Sequence, residues 1–341
     1  MPEARDGWVR RLDELTSFWP SRAILTAAEL DLFTALGDEE LTAAELARKV
    51  QAQERALGLL LNALAGLGII EKLPMRQSRG ERATQARFRN CEEARELLAK
   101  SGRSLMGRLG HQARLWKSWS RLTQAVKEGR PVALPRDEES GRNFIEAMHW
   151  GAQSRAPLVA DALDLSGVRR LLDLGGGPGT YAVTFAQRNP QLRAVIFDLP
   201  YALEVAREVV RSSGLVDRIE LQAGDMFVDE PEGKFDLVFI SSVIHSYPED
   251  KNAELMMRVR RWIEPGGRVV IHDFLLDEDG ATPASGALFS LNMLVNTDGG
   301  RSYTCGEVRG WLERAGFSEA KVVELDGHSR LIVGVATTPA T

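Results

Sequence analysis

The chain has 341 residues, 44% of them hydrophobic and 27% charged, with a formal net charge of -5. This is the composition of a globular protein with a sizeable core, and it excludes a strongly basic nucleic-acid-binding chain. Its two cysteines, Cys91 and Cys305, lie far apart, which excludes a disulfide framework or zinc-finger set and fits a reducing compartment.

The opening MPEARDGWVRR lacks the apolar core of a signal peptide, and no apolar run is long enough for a spanning helix. A cytoplasmic protein is expected. Residues 8–110 read as almost wholly helical. Ile24, Leu25, Ala28, Leu30, Leu32, Phe33 and Leu36 recur at helical spacing and predict one buried face ending at Gly37. Thr42-x-x-Glu45 is a capping box and starts a short helix over 43–49. A second apolar-periodic helix covers 54–67, with Leu57, Leu60, Leu61 and Leu64 on its face. Residues 68–73 and 86–89 predict two strands around a polar hairpin tip at 76–87. Helix, short helix, helix and two-stranded wing is the winged-helix order. It allows DNA binding through the second long helix, or a packing and dimerisation module. That helix is leucine-rich and poor in cations, which favours dimerisation.

Residues 91–129 continue helical, with Trp116 and Trp119 on one face. Residues 130–141 hold two prolines and a charge run and predict a surface loop. A helix follows over 143–165, kinked near Pro157. From Arg169 onward, strands alternate with helices. Strands are predicted at 171–174, 194–197, 218–223, 235–240, 268–275, 321–324 and 330–335, which argues an α/β fold with a mostly parallel sheet covered on both faces.

The most informative stretch is LLDLGGGPGTY, Leu171 to Tyr181. A buried strand runs into a glycine turn and then a helix, the opening of a nucleotide-binding unit. A dinucleotide fingerprint is excluded, because counting from Gly175 and Gly177 places Thr180 where the third glycine should stand. No basic residue in the turn could meet a pyrophosphate. Asp173 instead suits an α-ammonium, and Asp198, at the end of the next strand, suits two ribose hydroxyls. S-adenosylmethionine has both parts.

With FDLP, GDMF and PGGRVVIHD added to DLGGGPG, the chain resembles the class I methyltransferases. More narrowly, it resembles the small-molecule O-methyltransferases that carry an N-terminal winged-helix dimerisation domain. The resemblance covers nearly the whole chain. It implies a Rossmann-like seven-stranded catalytic domain at 166–341, a dimerisation domain at 1–110, and a helical linker at 111–165 that roofs the active site. It implies S-adenosyl-L-methionine as cofactor, a homodimer, and a small hydroxylated aromatic or lipophilic acceptor from secondary metabolism.

The same resemblance implies that Gly175 and Gly177 face the methionine part, that Asp225 and Met226 flank the adenine, and that Met148 lies near the methyl donor. Asp173, Asp198, Leu199, Gly224, Phe227 and Ser241 complete the candidate cofactor set. His245, in SSVIHSYPED, stands where the family has its histidine base. An imidazole titrating near neutrality can take the proton of an attacking hydroxyl. Asp273 aligns with the carboxylate that orients it. Phe289, Met293 and Asn296 lie on a helix that lines the acceptor pocket in the family. No metal is expected. Two departures stand out: HSYPED lacks the tryptophan of HDWxDE, and Ser302 occupies a position where the family often has a supporting glutamate. The second leaves open C- or N-methylation, or a cofactor-assisted non-methyl reaction.

Overall fold

The computed structural model describes residues 2–74, 85–99, 104–135, 137–325 and 329–337. It divides into two compact units, 1–114 and 115–341.

The first unit holds α1 (Pro2–Thr16), α2 (Trp19–Glu29), α3 (Leu32–Leu36), β1 (Leu41–Thr42), α4 (Ala43–Lys49), α5 (Glu54–Gly66), β2 (Ile70–Leu73), β3 (Arg87–Asn90) and α6 (Glu92–Leu98). α7 (Met106–Trp119) runs across the division. The apolar run expected over 24–36 is two helices, because Asp31 adopts a left-handed conformation (φ 54°) and ends the first. Aspartate is among the few side chains that tolerate this region. Thr42 caps α4 through the reciprocal box with Glu45. Leu57, Leu61 and Leu64 of α5 are buried with Leu32, Phe33, Leu36 and Leu46, whereas Leu60 is half-buried.

The wing has three strands rather than two. β3 lies between β1 and β2, pairing Phe88 with Leu41 and Asn90 with Ile70. A two-residue strand has no alternation to read, so β1 left no sequence signal. Most of the expected hairpin tip, 75–84, lies outside the described residues.

The second unit continues with α8 (Leu122–Glu128), α9 (Glu138–Ala162), β4 (Arg170–Leu174), α10 (Thr180–Arg188), β5 (Arg193–Asp198), α11 (Pro200–Ser213), β6 (Ile219–Ala223) and β7 (Phe235–Ser241). A 3-10 turn (Ile244–Ser246) precedes α12 (Glu249–Trp262) and β8 (Ile263–Asp273). The unit closes with α13 (Ala284–Asn296), α14 (Cys305–Arg314), β9 (Phe317–Glu324) and β10 (Arg330–Ala336). α9 starts inside the expected surface loop, capped by Asp137, and contains Pro157 in its interior.

The seven strands lie in the order β6-β5-β4-β7-β8-β10-β9, with β10 antiparallel to both neighbours. The sheet is Rossmann-like: from β4 the chain winds outward one way, then returns to β7 and winds the other. Ligands bind such sheets where the order reverses, at the carboxyl ends of the strands. One face packs β-strand residues against α12 and α14 around Met256, Trp262 and Trp311, and the other packs against α9, α10 and α11 around Ala156, Phe185 and Ala206. β8 begins five residues before the expected Arg268 and includes Pro265-Gly266-Gly267. Its register with β7 shifts between Phe235 and Leu237, so the turn residues are accommodated as an irregularity of the ladder. No helix among the described residues is long and apolar enough to cross a membrane.

Candidate active site

β4 ends at Leu174, and the glycine turn begins at its carboxyl end. Gly175 (φ 67°), Gly177 (φ 52°) and Gly179 (φ 71°) are all left-handed. A Cβ on Gly175 would sit 2.7 Å from Val243 Cγ2 and 3.2 Å from Met226 Cε, and one on Gly176 would sit 2.7 Å from Asp173 Cγ. Gly177, by contrast, has open space beside it. The turn is thus packed from below and open above, as close approach of a ligand to backbone requires.

Two carboxylates frame the turn. Asp173 is buried, its Oδ2 accepts the Ala182 N–H at 3.3 Å, and its Oδ1 is buried with no hydrogen-bond partner. Burial, together with the nearby charge of Asp198 and against the Ala182 N–H, raises its pKa to about 7. Asp198 accepts the Gly177 N–H on Oδ2 and the Leu199 N–H on Oδ1, both at 2.7 Å. Burial raises its pKa, opposed by those two N–H groups. A carboxylate has about four acceptor positions, so Asp198 keeps two for hydroxyl donors. The orphaned oxygen of Asp173 lacks a cation, and an α-ammonium would supply one. These residues fit the zwitterionic tail and ribose of S-adenosylmethionine.

The remaining candidate cofactor residues gather at the ends of the neighbouring strands. Gly224 follows β6, and a Cβ there would meet Phe197 Cζ at 2.3 Å. Asp225 is exposed and accepts the Phe227 N–H at 2.8 Å. The Met226 carbonyl accepts from Arg258 Nε at 2.8 Å. Phe227 meets Tyr247 edge-on, ring centroids 4.7 Å apart. Tyr247 stands where the expected tryptophan is missing. Leu199 is 39% exposed at the start of α11. Ser241 points its hydroxyl at His272 Nδ1 (2.9 Å), and that imidazole is buried beside Tyr181 and Phe239.

Met148 lies half-buried in α9. Its neighbour His149, not singled out from the sequence, reaches Thr180 Oγ1 at 2.7 Å and Gln153 Nε2 at 3.1 Å. Desolvation lowers the His149 pKa, against the pull of Glu146. This bond ties α9 to the first residue of α10, directly beyond the glycine turn.

His245 lies in the 3-10 turn after β7, 8% exposed. Its Nδ1 is 2.7 Å from Asp273 Oδ1 at the end of β8, and that oxygen also accepts the Phe274 N–H at 2.8 Å. No described residue hydrogen-bonds Nε2. The Phe289 ring meets the imidazole edge-on at 4.8 Å and packs 4.4 Å from Phe274. Met293 is buried in the same helix, 6% exposed. Asn296 donates its amide to the Asn292 carbonyl (2.8 Å) and side-chain oxygen (3.0 Å), and the latter also receives Trp119 Nε1 at 2.9 Å. Only the Asn296 side-chain oxygen is left to meet a donor.

Ser302 does not face the imidazole. It is buried, donates to the Gly286 carbonyl at 2.9 Å, and its N–H donates to Ser290 Oγ at 3.0 Å. Asp273 is therefore the one side chain among the described residues that hydrogen-bonds the His245 ring.

Known proteins resemble the chain along nearly its whole length. The sequence profile of the O-methyltransferase domain matches residues 119–318, and that of the O-methyltransferase dimerisation domain matches residues 12–100. The 3-hydroxy-5-methyl-1-naphthoate 3-O-methyltransferase of Streptomyces sahachiroi is 30% identical over 335 residues, covering 95% of this chain and 94% of its own. The tetracenomycin polyketide synthesis 8-O-methyl transferase of Streptomyces glaucescens is 30% identical over 328 residues, covering 93% and 94%. Human N-acetylserotonin methyltransferase, solved with S-adenosylmethionine bound, superposes with a TM-score of 0.81 at 26% identity, over 97% of this chain and 98% of its own.

Proposed function

The chain belongs to the S-adenosylmethionine-dependent O-methyltransferases, and from this we propose that it methylates a hydroxyl of an aromatic secondary metabolite, with His245 as general base. The observation that carries the base assignment is the 2.7 Å contact between His245 Nδ1 and Asp273 Oδ1, which leaves Nε2 without a partner. A carboxylate on Nδ1 fixes the proton there and leaves the Nε2 lone pair to accept one. Asp273 is itself pinned by the Phe274 N–H.

S-adenosylmethionine, when bound, supplies the electrophilic methyl group. The chain's own groups do the rest. Asp173 and Asp198 hold the ammonium and the ribose hydroxyls, with Gly175 and Gly177 lending backbone. Gly224, Asp225, Met226, Phe227, Leu199 and Ser241 border the nucleoside, and Met148 lies on the α9 roof, which the His149–Thr180 bond ties to the turn. Phe274, Phe289 and Met293 offer apolar surface to a flat acceptor, and Asn296 offers one acceptor oxygen. Much of the rate in such a transfer comes from holding donor and acceptor in line. The naphthoate and tetracenomycin enzymes named above support an aromatic acceptor, and the dimerisation domain supports a homodimer.

Incubation with methyl-labelled cofactor and a panel of hydroxylated naphthoates and related aromatics tests this reading. A labelled methyl ether is the expected product. Labelled carbon- or nitrogen-methyl products, or full turnover by His245→Ala, would overturn it.

A further inference from the structure

His245 sits in the turn after β7 and Asp273 at the end of β8, and one residue outside both bonds to the backbone just beyond each of them. Tyr303 is buried, 1% exposed. Its hydroxyl donates to the Tyr247 carbonyl at 2.6 Å, two residues beyond His245. Its own carbonyl accepts the Leu276 N–H at 2.9 Å, three residues beyond Asp273. Two residues on, the link continues, with the Cys305 N–H donating to the Leu276 carbonyl at 3.1 Å.

The ring between these contacts cannot turn easily. Trp311 meets it edge-on at 4.7 Å, and the Arg301 guanidinium lies over it at 4.2 Å, itself held by Glu307. The turn it grips is held from a second side as well. Asn252, fully buried, donates to the Ile244 carbonyl at 2.8 Å and the Tyr247 carbonyl at 3.1 Å. Gly300 closes the third side: a Cβ there would lie 2.4 Å from the His245 carbonyl oxygen. The loop that holds Ser302 away from the imidazole thus acts on the backbone of the histidine turn instead of on its ring.

We propose that Tyr303 is a positioning residue of the His245–Asp273 pair: a strut whose side chain fixes the histidine turn and whose main chain fixes the strand end bearing the aspartate. The geometry is independent of the acceptor, and its catalytic relevance rests on His245 being the base. A hydroxyl-to-carbonyl bond in a buried site is lost completely in Tyr303→Phe, yet the Tyr247 carbonyl keeps its Asn252 donor, so the variant has no orphaned acceptor.

The experiment uses the full-length protein loaded with S-adenosylhomocysteine and labelled with 15N at its five histidines. The Nδ1 proton of His245 is assigned by its loss in His245→Ala. In Tyr303→Phe its exchange with water is expected to rise roughly tenfold, the worth of one net hydrogen bond. Melting temperature and affinity for S-adenosylhomocysteine should stay close to the parent. Ser302→Ala, which removes a bond of the same loop to Gly286, should leave that exchange unchanged. Unchanged exchange in Tyr303→Phe, or an equal rise in both variants, overturns the strut. A general loss of stability in Tyr303→Phe with slowed or equal exchange does so too. Because the readout needs no turnover, an active His245→Ala would sink the base assignment and leave this result standing.

Discussion

Asp173, one residue before the end of β4, and Asp198, the last residue of the adjacent parallel strand β5, both turn their carboxylates toward one glycine turn that contains no cation. Burial, with the neighbouring Asp198 charge adding to it, raises the pKa of Asp173 to about 7. Its ordinary value is 3.8. The unfolded chain therefore gives up this proton at a lower pH than the folded protein does. Below the ordinary value the group costs nothing; as pH rises toward 7, its burial works against the fold, by on the order of 4 kcal/mol for this shift. Denaturant titrations of the ligand-free protein between pH 5 and 7.5 should show stability falling with pH, and the Asp173→Asn variant should lose much of that slope. A slope identical in both proteins refutes the assignment.

The same pair predicts a proton released on binding. An ammonium next to Asp173 favours its ionised form, so S-adenosylhomocysteine binding near pH 6.5 should expel up to about one proton. Calorimetry in buffers of different ionisation enthalpy measures this directly. Asp173→Asn should bind without buffer dependence.

His245→Ala should lower kcat by roughly a hundredfold or more, the usual cost of removing a general base. Affinity for S-adenosylhomocysteine should be little changed, since no contact of His245 involves the glycine turn. Asp273→Asn keeps the shape but cannot present the same acceptor to Nδ1, and a loss of similar order is expected. Single-turnover rates with an accepted hydroxylated aromatic, alongside ligand calorimetry, separate the two effects.

Ser302→Glu is the substitution that the family pattern invites, and the structure predicts that it harms the protein. The side chain points at the Gly286 carbonyl in a buried site, so a carboxylate there meets an acceptor and no donor. Thermal or denaturant unfolding should show a loss of roughly 2 kcal/mol or more. A variant as stable as the parent and more active would show that the loop can turn the residue toward His245.

Gly179→Ala probes the turn itself. Its backbone is left-handed (φ 71°), and a Cβ would stand 2.3 Å from Ile196 Cδ1 in the core of β5. Stability should fall by about 1–3 kcal/mol through backbone strain and overpacking. Affinity for S-adenosylhomocysteine should fall with it, because Ile196 supports the strand that carries Asp198. Equilibrium unfolding and calorimetry on one preparation test both.

Much of this was legible before the fold was known because local chemistry and topology agree. A glycine-rich turn after a buried strand has few uses, and the strand-end acids follow from the rule for parallel sheets. The elements that escaped are those set by distant partners. β1 exists because Phe88 offers it an edge, and β8 begins at Ile263 because Phe235 lies beside it. The break at Asp31 depends on one residue's backbone. Ser302 stood at the right position in the chain for a supporting role, but a motif carries no side-chain direction. Tyr303, Asn252 and His149 belong to no local pattern, and each matters through a residue more than two helical turns away in sequence or in another element.

The parallel sheet also decides when the site comes into being. Asp173, Asp198, Asp225, Ser241 and Asp273 lie within two residues of the carboxyl ends of five different strands, β4 to β8. Parallel pairings of this kind join residues far apart in sequence and form slowly. A chain with one strand out of register keeps its helices and most of its buried surface but has no place for the nucleoside. Ligand stabilisation therefore accrues only to finished molecules.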